Sequence, residues 1–168
     1  LEKTGAFETV MFCEIDPTAR KVLEKNWGKL NICFDIKNLN KDYMKFTTTG
    51  EMPDVVTASW PCQGHSVAGK KRGLDDERSG LWKEVKRVLQ ETNAEWFIGE
   101  NSANLRTNGL TEVLQDLREI GFNNIHWDVL PAEAYGALHK RERIYIVANR
   151  NMHGFSPETY APTQEEQI

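Results

Sequence analysis

Strand-like and helix-like segments alternate along this chain, and four of the strands stop at residues able to do chemistry. Glu8 to Glu14 is β-rich and ends in an acid. Asp16-Pro17 reads as a helix N-cap followed by a proline at the first helical position, where a missing N–H costs nothing. That helix is expected to reach about Trp27, with Val22 and Leu23 turned inward. Asn31 to Phe34 is a short strand ending at Asp35, residues 37 to 53 are polar and irregular, and Asp54 to Ser59 is another buried strand. A Gly-, Ser- and Lys-rich loop, Trp60 to Arg78, separates it from Leu81, Val85, Val88 and Leu89 on one helical face. Glu95 to Gly99 is a strand that stops at Glu100-Asn101. Leu110, Val113, Leu114, Leu117 and Ile120 form a second helical stripe, which Gly121 ends. Ile125 to Leu130 and Arg143 to Ala148 are two late strands, expected to be adjacent and antiparallel.

Strands alternating with helices predict an open α/β sheet with helices on both faces. In such sheets ligands collect beyond the carboxyl ends of strands. Glu14, Asp35, Pro61-Cys62 and Glu100-Asn101 all fall there. With 39% apolar and 27% charged residues, the chain is neither disordered nor a membrane protein. Its longest unbroken apolar run, Ile144 to Ala148, falls far short of the ~20 residues a spanning helix needs. The net charge of −4 does not advertise nucleic acid, yet a site needs only a local positive field. Cys13, Cys33 and Cys62 are widely spaced, with no C-x-x-C, so neither disulfides nor a metal site is expected. Reduced thiols fit a cytoplasmic compartment. The chain opens on Leu1 without a signal segment and need not start where the natural protein starts.

Each strand-end residue has two readings. Glu14 stands where an acid accepts from ribose hydroxyls, or it is a solvated strand-end acid. The glycine loop that accompanies such an acid lies roughly 20 residues earlier, ahead of this chain's first residue. Asp35 accepts from an adenine amino group or caps a turn. Cys62 follows a proline in a polar loop, where an exposed thiolate is expected to be reactive with Lys70, Lys71 and Arg72 nearby, or it is an inert loop cysteine. Cys13 and Cys33, inside strands, read as buried structural thiols. Glu100 is a candidate proton carrier for a substrate ring nitrogen. The run His139 to Arg143 supplies guanidinium forks for carbonyls and phosphates, or is a solvated basic turn.

The ordered set Pro61-Cys62-Gln63 with Ser66, then Glu100-Asn101, then Arg141-x-Arg143, resembles the catalytic motifs of the cytosine-5 DNA methyltransferases. Glu14-x-Asp16-Pro17 resembles their cofactor-ribose motif, Asp35-Ile36 the adenine-contacting one, and Ser79-Gly80-Leu81-Trp82 the segment after the nucleophile loop. The resemblance implies a Rossmann-like sheet that uses S-adenosylmethionine, incomplete here because its first, central strand and glycine loop are missing. It implies a partial catalytic domain over residues 1–150, with 151–168 a linker or the start of an absent target-recognition region. It implies Cys62 as nucleophile, with Glu100, Arg141 and Arg143 as the other catalytic residues. Glu14, Ile15, Asp35, Ile36, Pro61 and Leu81 would hold the cofactor. Pro61, Gln63, Ser66, Asn101, Lys70 and Arg72 would meet the substrate, double-stranded DNA with its cytosine turned out of the stack. Asn101 and Pro61 would shape the pocket rather than do chemistry.

Departures from the family pattern are Ser102 after Glu-Asn, His139 opening the arginine motif, and Leu138 before it. A complementing chain, or segments elsewhere in the same protein, would supply the missing strand. Rival readings are a transfer-RNA cytosine-5 methyltransferase, a non-catalytic binding or regulatory relative, a thymidylate-synthase-like thiolate enzyme and, weakest, a cysteine protease. Restriction-modification, phage or regulatory roles stay open, as do nucleoid or nuclear locations.

Overall fold

The described residues form two sheets and four α-helices. The computed structural model describes residues 1–28, 30–61 and 80–150. In chain order the elements are β1 (Met11–Cys13), α1 (Pro17–Trp27), β2 (Asn31–Cys33), α2 (Lys41–Thr47), β3 (Val55–Ser59), α3 (Leu81–Thr92), β4 (Trp96–Ser102), α4 (Leu110–Glu119), β5 (Asn124–Pro131) and β6 (Glu142–Asn149). β1 and β2 form a parallel pair. The second sheet has the order β3-β4-β6-β5, with β3 parallel to β4 and both other pairings antiparallel. Among the described residues, no strand joins β1 to β3.

The larger core lies between one face of the four-stranded sheet and α3 with α4. Phe97, Ile144, Ile146 and Ala148 face it from the sheet, and Trp82, Val85, Leu89, Val113 and Leu117 from the helices. Large side chains hidden this completely contribute roughly 1.5–3 kcal/mol each. The smaller core, Cys33, Leu39, Met44 and Val88, sits under β2. Helix α3 reaches both, through Val88 on one side and Leu89 on the other. Strand alternation places Met11 toward this smaller core and Phe12 on the opposite face, where its ring meets Trp27 of α1 edge-on at 5.1 Å. Helices therefore cover both faces of the β1–β2 pair. In the larger sheet the described helices pack on one face, and the other presents Ile98, Glu100, Arg143 and Tyr145.

Asp16 caps α1 as expected, accepting from Thr18 N at 2.6 Å and Ala19 N at 3.1 Å, with Pro17 first in the helix. Val22, expected inside, is 54% exposed; Leu23 is half-buried, and α1 meets β1 through Trp27 on Phe12. Residues 41–47, expected to be irregular, form α2: Asn40 caps it from Tyr43 N and Met44 anchors it in the smaller core. β4 runs on to Ser102, so Glu100 and Asn101 lie within the strand rather than after it. The paired late strands are adjacent and antiparallel, as expected. The described residues contain no helix long and apolar enough to cross a membrane.

Candidate active site

β3 delivers its chain to the site through Trp60. This ring is 7% exposed and packs on Trp82 with centroids 4.8 Å apart, and on Phe97 at 6.5 Å. Gly99 makes room: a Cβ there would meet the Phe97 ring at 2.9 Å and Trp60 at 3.3 Å. Phe97 is fully buried and has nowhere to move. The backbone is pinned as well as the ring. Asn101, 3% exposed, donates from Nδ2 to the Trp60 carbonyl at 2.9 Å and accepts at Oδ1 from Ser102 N at 2.8 Å. Asn101 is thus part of the wall, and it ties β4 to the residue two places before Cys62. Pro61 is exposed at the edge of this wall.

On the open face of β4, Glu100 and Arg143 meet. The register sets Glu100 opposite Tyr145 and Ser102 opposite Arg143, so the two charged residues are diagonal neighbours on one face. Arg143 Nε lies 2.8 Å from Glu100 Oε1, with the side chains 27% and 35% exposed. Arg143 Nη1 also donates to the Glu142 carbonyl at 2.8 Å. Ser59 pairs with Glu100 across β3 and β4, so the acid stands level with the last residue of β3. Arg141 is exposed, and its carbonyl accepts from Ala132 N at 3.2 Å, closing the β5–β6 turn. Leu81, first in α3, is half-buried against the larger core.

A second group forms at the carboxyl ends of β1 and β2. Glu14 N donates to the Cys33 carbonyl at 2.9 Å, extending the pairing by one residue. Glu14 Oε1 accepts from Asp16 N at 2.8 Å, and Asp35 Oδ1 from Lys37 N at 2.9 Å. Each carboxylate is therefore oriented through one oxygen, and the other accepts no hydrogen bond among the described residues. Ile15 is 69% exposed beside them. Ile36 is half-buried and packs against both cores.

Cys62, Gln63, Ser66, Lys70, Lys71 and Arg72 lie outside the described residues, as does the segment 151–168. Cys33 is buried as expected, but Cys13 is exposed. Cys13 is the last residue of β1, opposite Cys33 in the strand register. Burial of the sulfur beside Cys33, with that thiol's charge and hydrogen bond, pushes the Cys13 pKa up to about 12. Sequence reasoning missed the Glu100–Arg143 contact, because it depends on β6 lying next to β4. It also missed the seat of Trp60; the signal available was the glycine, Gly99, inside an apolar strand.

The family description C-5 cytosine-specific DNA methylase matches residues 1–167. Type II methyltransferase M.Bsp6I of Bacillus sp. (strain RFL6) is 36% identical over 157 residues, 90% of this chain and 48% of its own length. Type II methyltransferase M.Eco47II of Escherichia coli is 35% identical over 156 residues, 90% of this chain and 36% of its own. The chain thus spans between a third and a half of these curated relatives. A DNMT2 variant from Spodoptera frugiperda shares the fold, with a TM-score of 0.70 at 22% identity over 90% of this chain and 46% of that one. With a Rossmann-like methyltransferase fold and the motifs in family order, this chain belongs to the C-5 cytosine-specific DNA methylases.

Proposed function

We propose that this chain forms the reacting part of an enzyme that transfers a methyl group to carbon 5 of cytosine in double-stranded DNA. The observation that carries the reading is the Glu100–Arg143 pair on the open face of β4, level with the end of β3 that leads to Cys62. In this reading the Cys62 thiolate adds to carbon 6 of a cytosine turned out of the duplex, and the displaced electron pair makes carbon 5 nucleophilic. Glu100 contacts the N3 edge and exocyclic amine and holds the proton there that stabilises the adduct. Arg143, steadied by Glu100, contacts the base carbonyl, and Arg141 stands beside it. Loss of the carbon-5 proton and expulsion of Cys62 complete the turnover. Asn101 and Pro61 hold the wall, while Gln63, Ser66, Lys70 and Arg72 contact the nucleic acid, the basic ones through phosphates.

S-adenosylmethionine is the donor this chemistry calls for, and bound to this chain it supplies an electrophilic methyl group. Glu14, Ile15, Asp35 and Ile36 would hold it, with Pro61 and Leu81 on the side of the reacting base. Two oriented carboxylates, each with an open oxygen, suit the hydroxyls and amine of an adenosine. The exposed Ile15 suits the face of its base. Residues 1–150 would form the catalytic part, with 151–168 leading toward a target-recognition region. The edges of β1 and β3, which pair with no further strand among the described residues, would be completed by a strand from the same protein or from a second chain. The cytoplasm is the matching compartment.

Trapping tests this. Duplex DNA carrying 5-fluorocytosine cannot release carbon 5 after transfer, so a covalent complex should survive denaturing electrophoresis and vanish in Cys62→Ser. Transfer RNA serves as the competing substrate. A complex with RNA alone moves the chain to the RNA reading, and none with either substrate leaves a non-catalytic relative.

A further inference from the structure

Beyond the bond from Glu14 N to the Cys33 carbonyl, the chain segments leaving β1 and β2 share no backbone hydrogen bond among the described residues. One runs through Ile15 and Asp16 into α1, and the other through Phe34 and Asp35 into the short 3-10 turn Ile36–Asn38. They carry the two carboxylates, so something must set their spacing.

Arg20, from the first turns of α1, reaches both. Its Nη1 donates to the Ile15 carbonyl at 2.7 Å and to the Glu14 carbonyl at 3.3 Å. Its guanidinium lies over the Phe34 ring, 4.3 Å from the centroid. Phe34 is 60% exposed, so burial in a core does not explain a phenyl ring there. A flat cation suits this junction: one end bonds carbonyls while the plane stacks on an aromatic face. A lysine could do only one of these well.

We propose that Arg20 and Phe34 form a clasp that positions Glu14 and Asp35 for the adenosine part of the cofactor. The proposal rests on the reading of these two acids as the cofactor's partners. Hydrogen bonds weaken steeply with distance and angle, so a spacing error weakens binding without removing a ligand contact. Arg20 is a positioning residue in this proposal: it holds the Glu14 and Ile15 carbonyls and the Phe34 ring.

Calorimetry on the purified natural protein tests this, with S-adenosylmethionine and adenosine titrated separately. Arg20→Ala and Phe34→Leu should each weaken both ligands by about tenfold, the scale of one charge-assisted hydrogen bond. The double variant should lose no more than either single, because the two act as a unit. Arg20→Lys should fall between wild type and Arg20→Ala. Val113→Ala, a core change distant from the acids, calibrates the effect of lost stability and should bind both ligands normally. Wild-type affinity in Arg20→Ala overturns the clasp, and so do losses that multiply in the double variant, or a matching loss in Val113→Ala. If wild type binds neither ligand, the acid-pair reading itself fails and takes the clasp with it.

Discussion

Glu100 and Arg143 meet at 2.8 Å across two antiparallel strands, on the sheet face opposite the larger core. The pair is partly exposed, and pairs of that kind contribute about 0–1 kcal/mol to stability. Stability therefore does not account for its placement. The same two groups are the proposed proton carrier and base-carbonyl donor, and their contact fixes each relative to the other.

Glu100→Gln should lower single-turnover methyl transfer by about 10²–10⁴-fold, the usual contribution of a positioned proton carrier. Arg143→Lys keeps the charge but loses the fork and should fall between wild type and Arg143→Ala. All three variants should unfold at nearly the wild-type urea concentration. A large common drop in that midpoint would move the pair from chemistry to architecture.

The wall beneath the pair is stricter. Asn101→Ala leaves the Trp60 carbonyl and the Ser102 N–H without their side-chain partner in a buried place, at a cost of about 1–3 kcal/mol. Gly99→Ala pushes a methyl group against two immobile rings and should cost about as much. Equilibrium denaturation reads both. Asn101→Ala should also slow adduct formation with 5-fluorocytosine DNA, since Trp60, two residues before Cys62, loses its side-chain tie to β4. A normal trapping rate would separate the wall from the nucleophile.

How far the sequence carried this picture depends on the reach of each signal. Local signals were enough for α1, α3, α4 and the β5–β6 pair: the Asp16-Pro17 cap, one-sided apolar stripes and a glycine stop. α2 escaped because its single buried residue, Met44, gives no periodicity, although Asn40 was a readable cap. Val22 was misplaced because an apolar residue on a short helix says nothing about how closely that helix lies on its sheet. At the candidate site, predicted strand ends pointed to Glu14, Asp35 and Glu100, the last of which lies inside β4. The Glu100–Arg143 contact and the Arg20–Phe34 stack needed knowledge of which strands are neighbours, and local pattern does not carry that.

The two helices under the larger sheet are joined by two carboxylates of α4, Asp116 and Glu119. Asp116 accepts from the Trp82 indole N–H at 2.7 Å and contacts Lys86 Nζ at 2.5 Å. Asp116 first, and Glu119 second, hold the Lys86 ammonium above the ordinary lysine range. Trp82 is fully buried, so Asp116→Ala strands its N–H and should cost about 1–3 kcal/mol. Lys86→Met leaves that indole bond in place and should cost well under half as much. Urea midpoints of the two variants decide which partner matters, and equal losses would refute this ranking.

Cys13 gives a prediction whose sign runs against its exposure. Burial of its sulfur, then the neighbouring Cys33 thiol, raises its pKa from 9.0 to about 12. The folded protein therefore holds this proton where the unfolded chain has lost it. Its contribution to stability is complete below about pH 9 and declines as pH rises toward about 12. Because the thiolate is the reactive form, Cys13 should be alkylated by iodoacetamide at pH 8 more slowly than a free cysteine, although the residue as a whole is exposed. Cys33→Ala removes the neighbouring thiol's charge and hydrogen bond, so the rate at Cys13 should rise several-fold, and the alkaline loss of stability should shrink. Peptide-resolved mass spectrometry over a pH series measures the rate. Free-cysteine reactivity at Cys13 in the wild type would show that Cys33 does not govern it.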